Sequence, residues 1–167
     1  LSITDKDAVE NFFKEVRPSY LINCAAYTAV DKAESEKEIN NLINGTAVGI
    51  LANACKNYGA KFIHISTDYV FDGNATSPLK ESDQVDPVNA YGASKLLGEE
   101  LAFKNDPETI IIRTSWVYSF YGKNFVKTMM RLMNEKESIG VVSDQVGSPT
   151  YAADLAKAIL QIISSEK

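Results

Sequence analysis

Histidine occurs once in the 167 residues, at His64, and cysteine twice, at Cys24 and Cys55. Neither cysteine has a second Cys or a His at metal-ligand spacing, so metal catalysis by a His/Cys cluster is excluded and no metal is expected. The two thiols read as buried free cysteines of a reducing compartment. His64 lies inside the apolar run KFIHIS, where a hydrogen-bonded strand histidine is expected rather than a metal ligand or a catalytic base. Positive charge is also scarce: 17 Lys and Arg against 22 Asp and Glu leave a net charge of −5. With no basic block to neutralise phosphates, a nucleic-acid or anionic-membrane binder is disfavoured. No stretch reads as a secretory signal or a membrane span, and a cytoplasmic protein is expected. A small-molecule site is the reading these absences leave.

What remains is ordinary globular composition, 45% hydrophobic and 23% charged, in a chain long enough for one domain with a substantial core. Thr4 and Asp5 are capping candidates before Val9, Phe12, Phe13 and Val16 at helical spacing. Leu1 is not an initiator methionine and stands just before that helix start, so the chain is expected to be a piece of something longer. YLINCAA (20–26) has strand length and ends in small residues, where a backbone can approach a ligand closely. A long helix is expected from Glu34 to about Tyr58, closed by Gly59. AKFIHISTDYVF (60–71) reads as the next strand, apolar on both faces, and residues 72–89 as a long polar loop. Helix, strand, helix, strand and helix are then expected over 91–103, 109–118, 124–136, 138–144 and 150–164.

Strands alternating with helices of this length predict βαβ units in an α/β, Rossmann-like doubly wound parallel sheet. Ligands bind such sheets beyond the carboxyl ends of the strands. CAAYT, STDY and SWVY all fall at such ends, beside the helix that opens at NAYGASKLLGEE (89–100). There Tyr91 and Lys95 are four apart, so a phenol and an ammonium share one helix face. A free tyrosine has a pKa of about 10 and needs a neighbouring positive charge to exchange protons near neutral pH. Lys95 can supply it, and a hydroxyl at Ser66 or Thr67 can hold a substrate oxygen in line with the phenol. Taken alone, the same spacing also fits a wetted helix face.

STDYVFDG, PVNAYGASKLLGE and RTSWVY, in this order, resemble the extended branch of the short-chain dehydrogenase/reductases, and within it the dTDP-4-dehydrorhamnose reductases. INCAAYTAVDKAESE and VVSDQVGSPTYAADLA extend the resemblance over nearly the whole chain. It implies Thr67, Tyr91 and Lys95 as catalytic residues. Tyr91 would protonate the sugar C4 oxygen, Lys95 would lower the phenol pKa and hold the nicotinamide ribose, and Thr67 would orient the ketone. It further implies NADPH or NADH as cofactor, lying along Ala25, Ala26, Tyr27 and Thr28 as well as Tyr91 and Lys95. The partner implied is a dTDP-sugar substrate, dTDP-4-dehydro-6-deoxy-L-mannose, reduced to dTDP-L-rhamnose for cell-surface polysaccharide; a homodimer is allowed. Substrate contacts are implied at Thr67, Asp68 and Trp116, with Gln145 and Thr150 from DQVGSPT. Trp116 has a plain core reading beside this one, and the Gly, Ser and Pro of DQVGSPT are equally explained by a turn before a helix. Asn44 matches a recurrent helix asparagine, which either braces the active-site strand or faces solvent.

One feature of the family is missing: no G-x-x-G-x-x-G turn occurs to face a dinucleotide pyrophosphate. The expected domain organisation is therefore a partial NAD(P)-binding domain over 1–167 carrying the catalytic residues, with 143–167 beginning the substrate side. At least one βαβ unit and the C-terminal substrate portion are expected to be absent. A related nucleotide-sugar epimerase or dehydratase shares the Tyr/Lys pair, but dehydratases place extra acidic residues after the Thr, where this chain has Asp68 and then Tyr69. A non-catalytic regulatory subunit on the same fold is the other alternative, and retention of Thr67, Tyr91 and Lys95 weighs against it.

Overall fold

Helix α1 (Lys6–Val16) begins where Asp5 caps it, the Ala8 N–H donating to the Asp5 carboxylate at 3.0 Å. It ends at Arg17, whose left-handed conformation returns its N–H to the Phe13 carbonyl at 3.1 Å, just before Pro18. The computed structural model describes residues 1–165 as two units, Leu1–Arg113 and a second beginning at Thr114.

In the first unit, β1 (Tyr20–Asn23) and β2 (Lys61–Thr67) pair in parallel, in a register running from Tyr20 opposite Lys61 to Asn23 opposite His64. β3 (Ile110–Thr114) flanks β2 on its other side. Strand β1 is shorter than the 20–26 run suggests. The Asn23 side chain accepts the Ala25 N–H at 3.1 Å, a local bond that competes with the ladder and turns the chain out of the sheet.

The helix expected over 34–58 forms from Lys37 onward and keeps helical backbone to Tyr58, with one wide turn inside it. A short α2 (Val30–Ala33) precedes α3 (Lys37–Asn41), a wide π-helical turn (Leu42–Thr46) and α4 (Ala47–Tyr58). Gly59 closes α4 with φ 71°, as a glycine cap requires. Helix α5 (Ala90–Asn105) opens on Asn89, which accepts the Gly92 N–H at 2.7 Å.

The core joins Val9 and Phe13 of α1, Val48, Leu51, Ala52 and Cys55 of α4, Phe62 of β2 and Ala102 of α5. Phe13 and Phe62 are fully enclosed, each contributing roughly 1.5–3 kcal/mol by leaving water. Helix α5 approaches its neighbours at backbone distance. A Cβ on Gly92 would lie 2.1 Å from the Tyr69 carbonyl oxygen, and one on Gly98 2.1 Å from that of Asn44. Only glycine fits at either point, and the residues between them, Ser94 and Lys95, are carried into the interior. Parallel strands with covering helices make this an α/β, Rossmann-like fold, as the element pattern predicts.

The run 109–118 breaks in two, because Trp116 takes a left-handed backbone (φ 47°) between β3 and β4 (Val117–Tyr118). In the second unit β4 pairs in parallel with β5 (Thr150–Tyr151), and α6 (Phe125–Glu135) and α7 (Ala152–Ser165) complete the described chain. The strand expected over 138–144 does not form. Val141 and Val142 are exposed there, and among the described residues no neighbouring strand completes a ladder with them. No helix among the described residues is long and apolar enough to cross a membrane.

Candidate active site

Strand β2 ends at Thr67, and the chain turns at once into a single 3₁₀ turn, Asp68–Val70. The Thr67 hydroxyl caps that turn, accepting the Tyr69 N–H at 3.2 Å and lying 3.2 Å from the Asp68 carboxylate. This cap fixes the hydroxyl at the carboxyl end of the strand, on the side of the Tyr91 phenol from the first turn of α5. The Tyr69 ring stands edge-on to the Tyr91 ring, centroids 5.7 Å apart and planes at 86°, which limits where the phenol can swing. Thr67, Asp68 and Tyr91 thus form one cluster.

One turn further along α5, Lys95 is only 2% exposed. Its amine donates to the Ile65 carbonyl at 2.7 Å and lies 3.2 Å from His64 Nε2. Burial pulls the Lys95 pKa down to about 8, against the opposing pull of Glu99. Glu99 is buried too, and Arg113 takes both its oxygens, at 3.0 and 2.6 Å. The same guanidinium lies 5.0 Å over the Phe71 ring and donates to the Glu81 carbonyl at 3.3 Å, tying the 72–89 loop to β3.

Burial raises the Tyr91 phenol above its ordinary value, opposed by the Thr67 hydroxyl and helped by Asp68 and Tyr69. The sequence led us to expect the reverse, a phenol lowered by Lys95. In this state the lysine amine is directed to Ile65 and His64. Asp68 is likewise raised by burial, with hydrogen bonds from Thr67 and the local backbone opposing.

A buried polar seam fixes this cluster relative to the end of β1. Asn44, fully buried in the wide turn, accepts the Tyr27 N–H at 2.8 Å and donates to the Tyr27 carbonyl at 3.0 Å. Asn44 Nδ2 also lies 2.9 Å from Asn40 Oδ1 and 3.0 Å from the Ser94 hydroxyl. Asn40 donates to the Ala90 carbonyl at 2.9 Å, and Ser94 to that of Tyr91 at 2.7 Å. The first turn of α5 is therefore bonded through side chains to the segment carrying Ala25, Ala26, Tyr27 and Thr28. In that segment Ala25 and Thr28 are exposed and Ala26 and Tyr27 half-buried, with the Tyr27 hydroxyl donating to Glu36 at 2.5 Å. Of the two readings of Asn44, bracing is the observed one.

Trp116, Gln145 and Thr150 belong to the second unit. There the Trp116 indole lies over Gly147, where a Cβ would come within 3.0 Å of the ring. The Ser115 hydroxyl donates to the Ser148 carbonyl at 2.6 Å. Trp116 is 44% exposed, so it is no core residue, and its left-handed backbone is a strained geometry of the kind that gathers at functional positions. Gln145 is exposed and Thr150 half-buried at the start of β5.

Sequence reasoning missed Asn23, Asn40, Ser94, Glu99 and Arg113, and gave His64 no named partner. One signal was present for Asn40, Asn44 and Ser94: short polar side chains in phase with the apolar stripes of their helices.

The model of the RmlD substrate binding domain family matches residues 1–167. The chain is 46% identical over 164 residues to the spore coat polysaccharide biosynthesis protein SpsK of Bacillus subtilis, covering 98% of this chain and 58% of that protein. The crystal structure of a dTDP-4-dehydrorhamnose reductase from Clostridium acetobutylicum superposes with a TM-score of 0.96 at 46% identity, over 99% of this chain and 59% of that one. One from Bacillus anthracis, solved in complex with NADP, superposes with a TM-score of 0.95 at 46% identity, over 98% and 58%. The chain thus spans a little under three fifths of the length of these relatives.

Proposed function

Because the chain belongs to the RmlD substrate binding domain family, we propose that it forms part of a nucleotide-sugar reductase that uses NADPH or NADH. Its reaction is reduction of the C4 ketone of dTDP-4-dehydro-6-deoxy-L-mannose to dTDP-L-rhamnose. The observation that carries this reading is the placement of the Thr67 hydroxyl at the carboxyl end of β2 beside the Tyr91 phenol, with a buried Lys95 one turn behind it. The relatives named as dTDP-4-dehydrorhamnose reductases, one of them holding NADP, support the same chemistry.

When bound, the nicotinamide cofactor supplies the hydride. The chain offers a partial fit to it. Ala25 and Ala26 put little side chain at the end of β1, and Lys95 and Tyr91 supply donors suited to ribose hydroxyls. No glycine-rich turn lies in this sequence for the pyrophosphate, so the fit concerns the nicotinamide-ribose end.

Tyr91 gives its hydroxyl proton to the sugar C4 oxygen. Thr67, on the same side of the strand end, donates to the same oxygen and aligns the ketone. Lys95 lowers the cost of the phenolate that remains, its charge drawn toward the phenol once acceptor oxygens compete with the Ile65 carbonyl. Asp68 accepts from a sugar hydroxyl, and Trp116, Gln145 and Thr150 contribute the substrate side, the indole packing over the apolar face of the deoxysugar. Residues 1–167 supply the catalytic part of the cofactor domain, and 143–167 the start of the substrate side.

The test is an assay of the full-length protein with that ketosugar and NADPH, following cofactor oxidation and product. Stoichiometric oxidation with formation of the 6-deoxy-L-mannose nucleotide is expected. A correctly folded protein that oxidises no cofactor would point to an epimerase or a regulatory subunit.

A further inference from the structure

Four bonded groups run from the backbone beyond β1 to the buried lysine. The Ala25 N–H donates to Asn23 Oδ1 at 3.1 Å, and this assigns the amide oxygen. Asn23 Nδ2 therefore faces His64 Nδ1, at 3.1 Å. A donor at that position requires a lone pair on Nδ1, and a neutral imidazole with its lone pair on Nδ1 carries its one hydrogen on Nε2. His64 Nε2 lies 3.2 Å from Lys95 Nζ.

An Nε2–H aimed at Nζ meets a lone pair if the amine is neutral and another N–H if it is an ammonium. The remaining Lys95 bond, to the Ile65 carbonyl, is satisfied by either form. We propose that Asn23 and His64 are positioning residues that hold the imidazole in its Nε2–H tautomer and thereby weaken the Lys95 amine's hold on its third proton.

Escape by charging the ring is closed. Burial, with Lys95 beside it, holds the His64 pKa at about 3. Escape by turning the Asn23 amide would set Nδ2 against the Ala25 N–H and lose that bond. The titratable and charged groups around the amine are few. His64 approaches from β2, Glu99 follows one turn along α5 and favours the ammonium, and Tyr91 precedes one turn back. Arg113 of β3 engages both Glu99 oxygens and so spreads that carboxylate's charge.

The consequence for catalysis rests on the reductase reading: a lysine that releases its proton near neutrality can replenish a phenol that has just given one up. The tautomer and the lysine titration do not depend on it and are measured on the ligand-free protein. In full-length protein labelled with ¹⁵N-histidine, with the His64 signals assigned by their loss in His64→Gln, the long-range ¹H–¹⁵N spectrum should show an unprotonated Nδ1 and a protonated Nε2, unchanged down to about pH 5. A protonated Nδ1, or a ring that charges near pH 6.5, overturns the proposal.

The second measurement is the pH profile of Lys95 modification by an amine-selective reagent, read by mass spectrometry. His64→Phe keeps an aromatic ring and removes the opposing N–H, so the midpoint should rise by about half a pH unit or more. A fall would mean that Nε2 had been accepting from the ammonium; a fall or no change contradicts the assignment. If both measurements succeed and the full-length protein reduces no sugar ketone, the proton-setting pair stands and the reductase reading fails.

Discussion

Asn44 grips Tyr27 by both its backbone polar groups, Oδ1 accepting the N–H at 2.8 Å and Nδ2 donating to the carbonyl at 3.0 Å. A fully buried side chain in the wide turn thus sets the course of the segment leaving β1. Asn44→Ala should destabilise the fold by about 1–3 kcal/mol for each backbone group left without a partner. Asn44→Asp keeps the acceptor and loses the donor, and should fall between the two. Urea midpoints measure both; an alanine variant as stable as the parent would mean that water replaces the amide.

Tyr91→Phe keeps the ring against Tyr69 and removes only the hydroxyl. In the full-length enzyme it should lower turnover by a factor on the order of 10² or more while the thermal midpoint stays close to the parent's. Near-normal turnover under single-turnover conditions would show that the C4 oxygen takes its proton elsewhere.

Gly98→Ala would place a Cβ 2.1 Å from the Asn44 carbonyl oxygen, and that contact cannot be relieved by a side-chain rotation. Helix α5 must then move away from the wide turn, at a cost of roughly 1–3 kcal/mol. Denaturant titration gives the cost. Because Lys95 and Tyr91 ride on the same helix, turnover should fall with stability, and a loss of neither would mean that the two helices are not in backbone contact.

The buried imidazole makes a signed statement about acid. The folded-state pKa of His64, about 3, lies below its ordinary 6.5, so the unfolded chain binds the extra proton first as pH falls. The contribution of His64 is fully present above pH 6.5 and is lost between there and pH 3, at up to about 1.4 kcal/mol per pH unit. In His64→Phe the decline of stability over that window should be shallower than in the parent. Denaturant midpoints taken at pH 7 and pH 4 on both proteins test it, and parallel slopes would mean that the ring is protonated in the fold.

Gly147→Ala would bring a Cβ within 3.0 Å of the Trp116 indole. The ring must shift, and the emission maximum of this tryptophan should move. Unchanged emission would show that the indole does not rest on this glycine.

The alternation of strand and helix was legible because it is written in apolar periodicity, and so were the caps at Asp5 and Gly59, which depend on near neighbours in the chain. The placement of Thr67 at a strand end and of Tyr91 in the first turn of the following helix was legible from the element pattern. Long-range polar pairing was not. That Lys95 reaches Ile65 and His64 depends on how close Gly92 and Gly98 let α5 come, which no local pattern encodes. The wide turn inside the helix sets Asn44 against Tyr27, 17 residues earlier. Residues 138–144 look like a strand to any reading of β-branched content. Strands, however, are made by their neighbours, and Val141 and Val142 have none among the described residues.

The wide turn over Leu42–Thr46 winds one residue more than an ordinary helical turn, so it behaves as a one-residue insertion absorbed locally. A chain shortened by one residue there would wind uniformly, and the flanks α3 and α4 would keep their present faces, since the bulge rather than the axis takes up the extra ~100°. What vanishes is the slot that lets the asparagine amide reach across to the strand end. The clasp and the helix are therefore separable parts, and a shortened homologue could keep the scaffold intact while leaving the edge of the sheet unsecured.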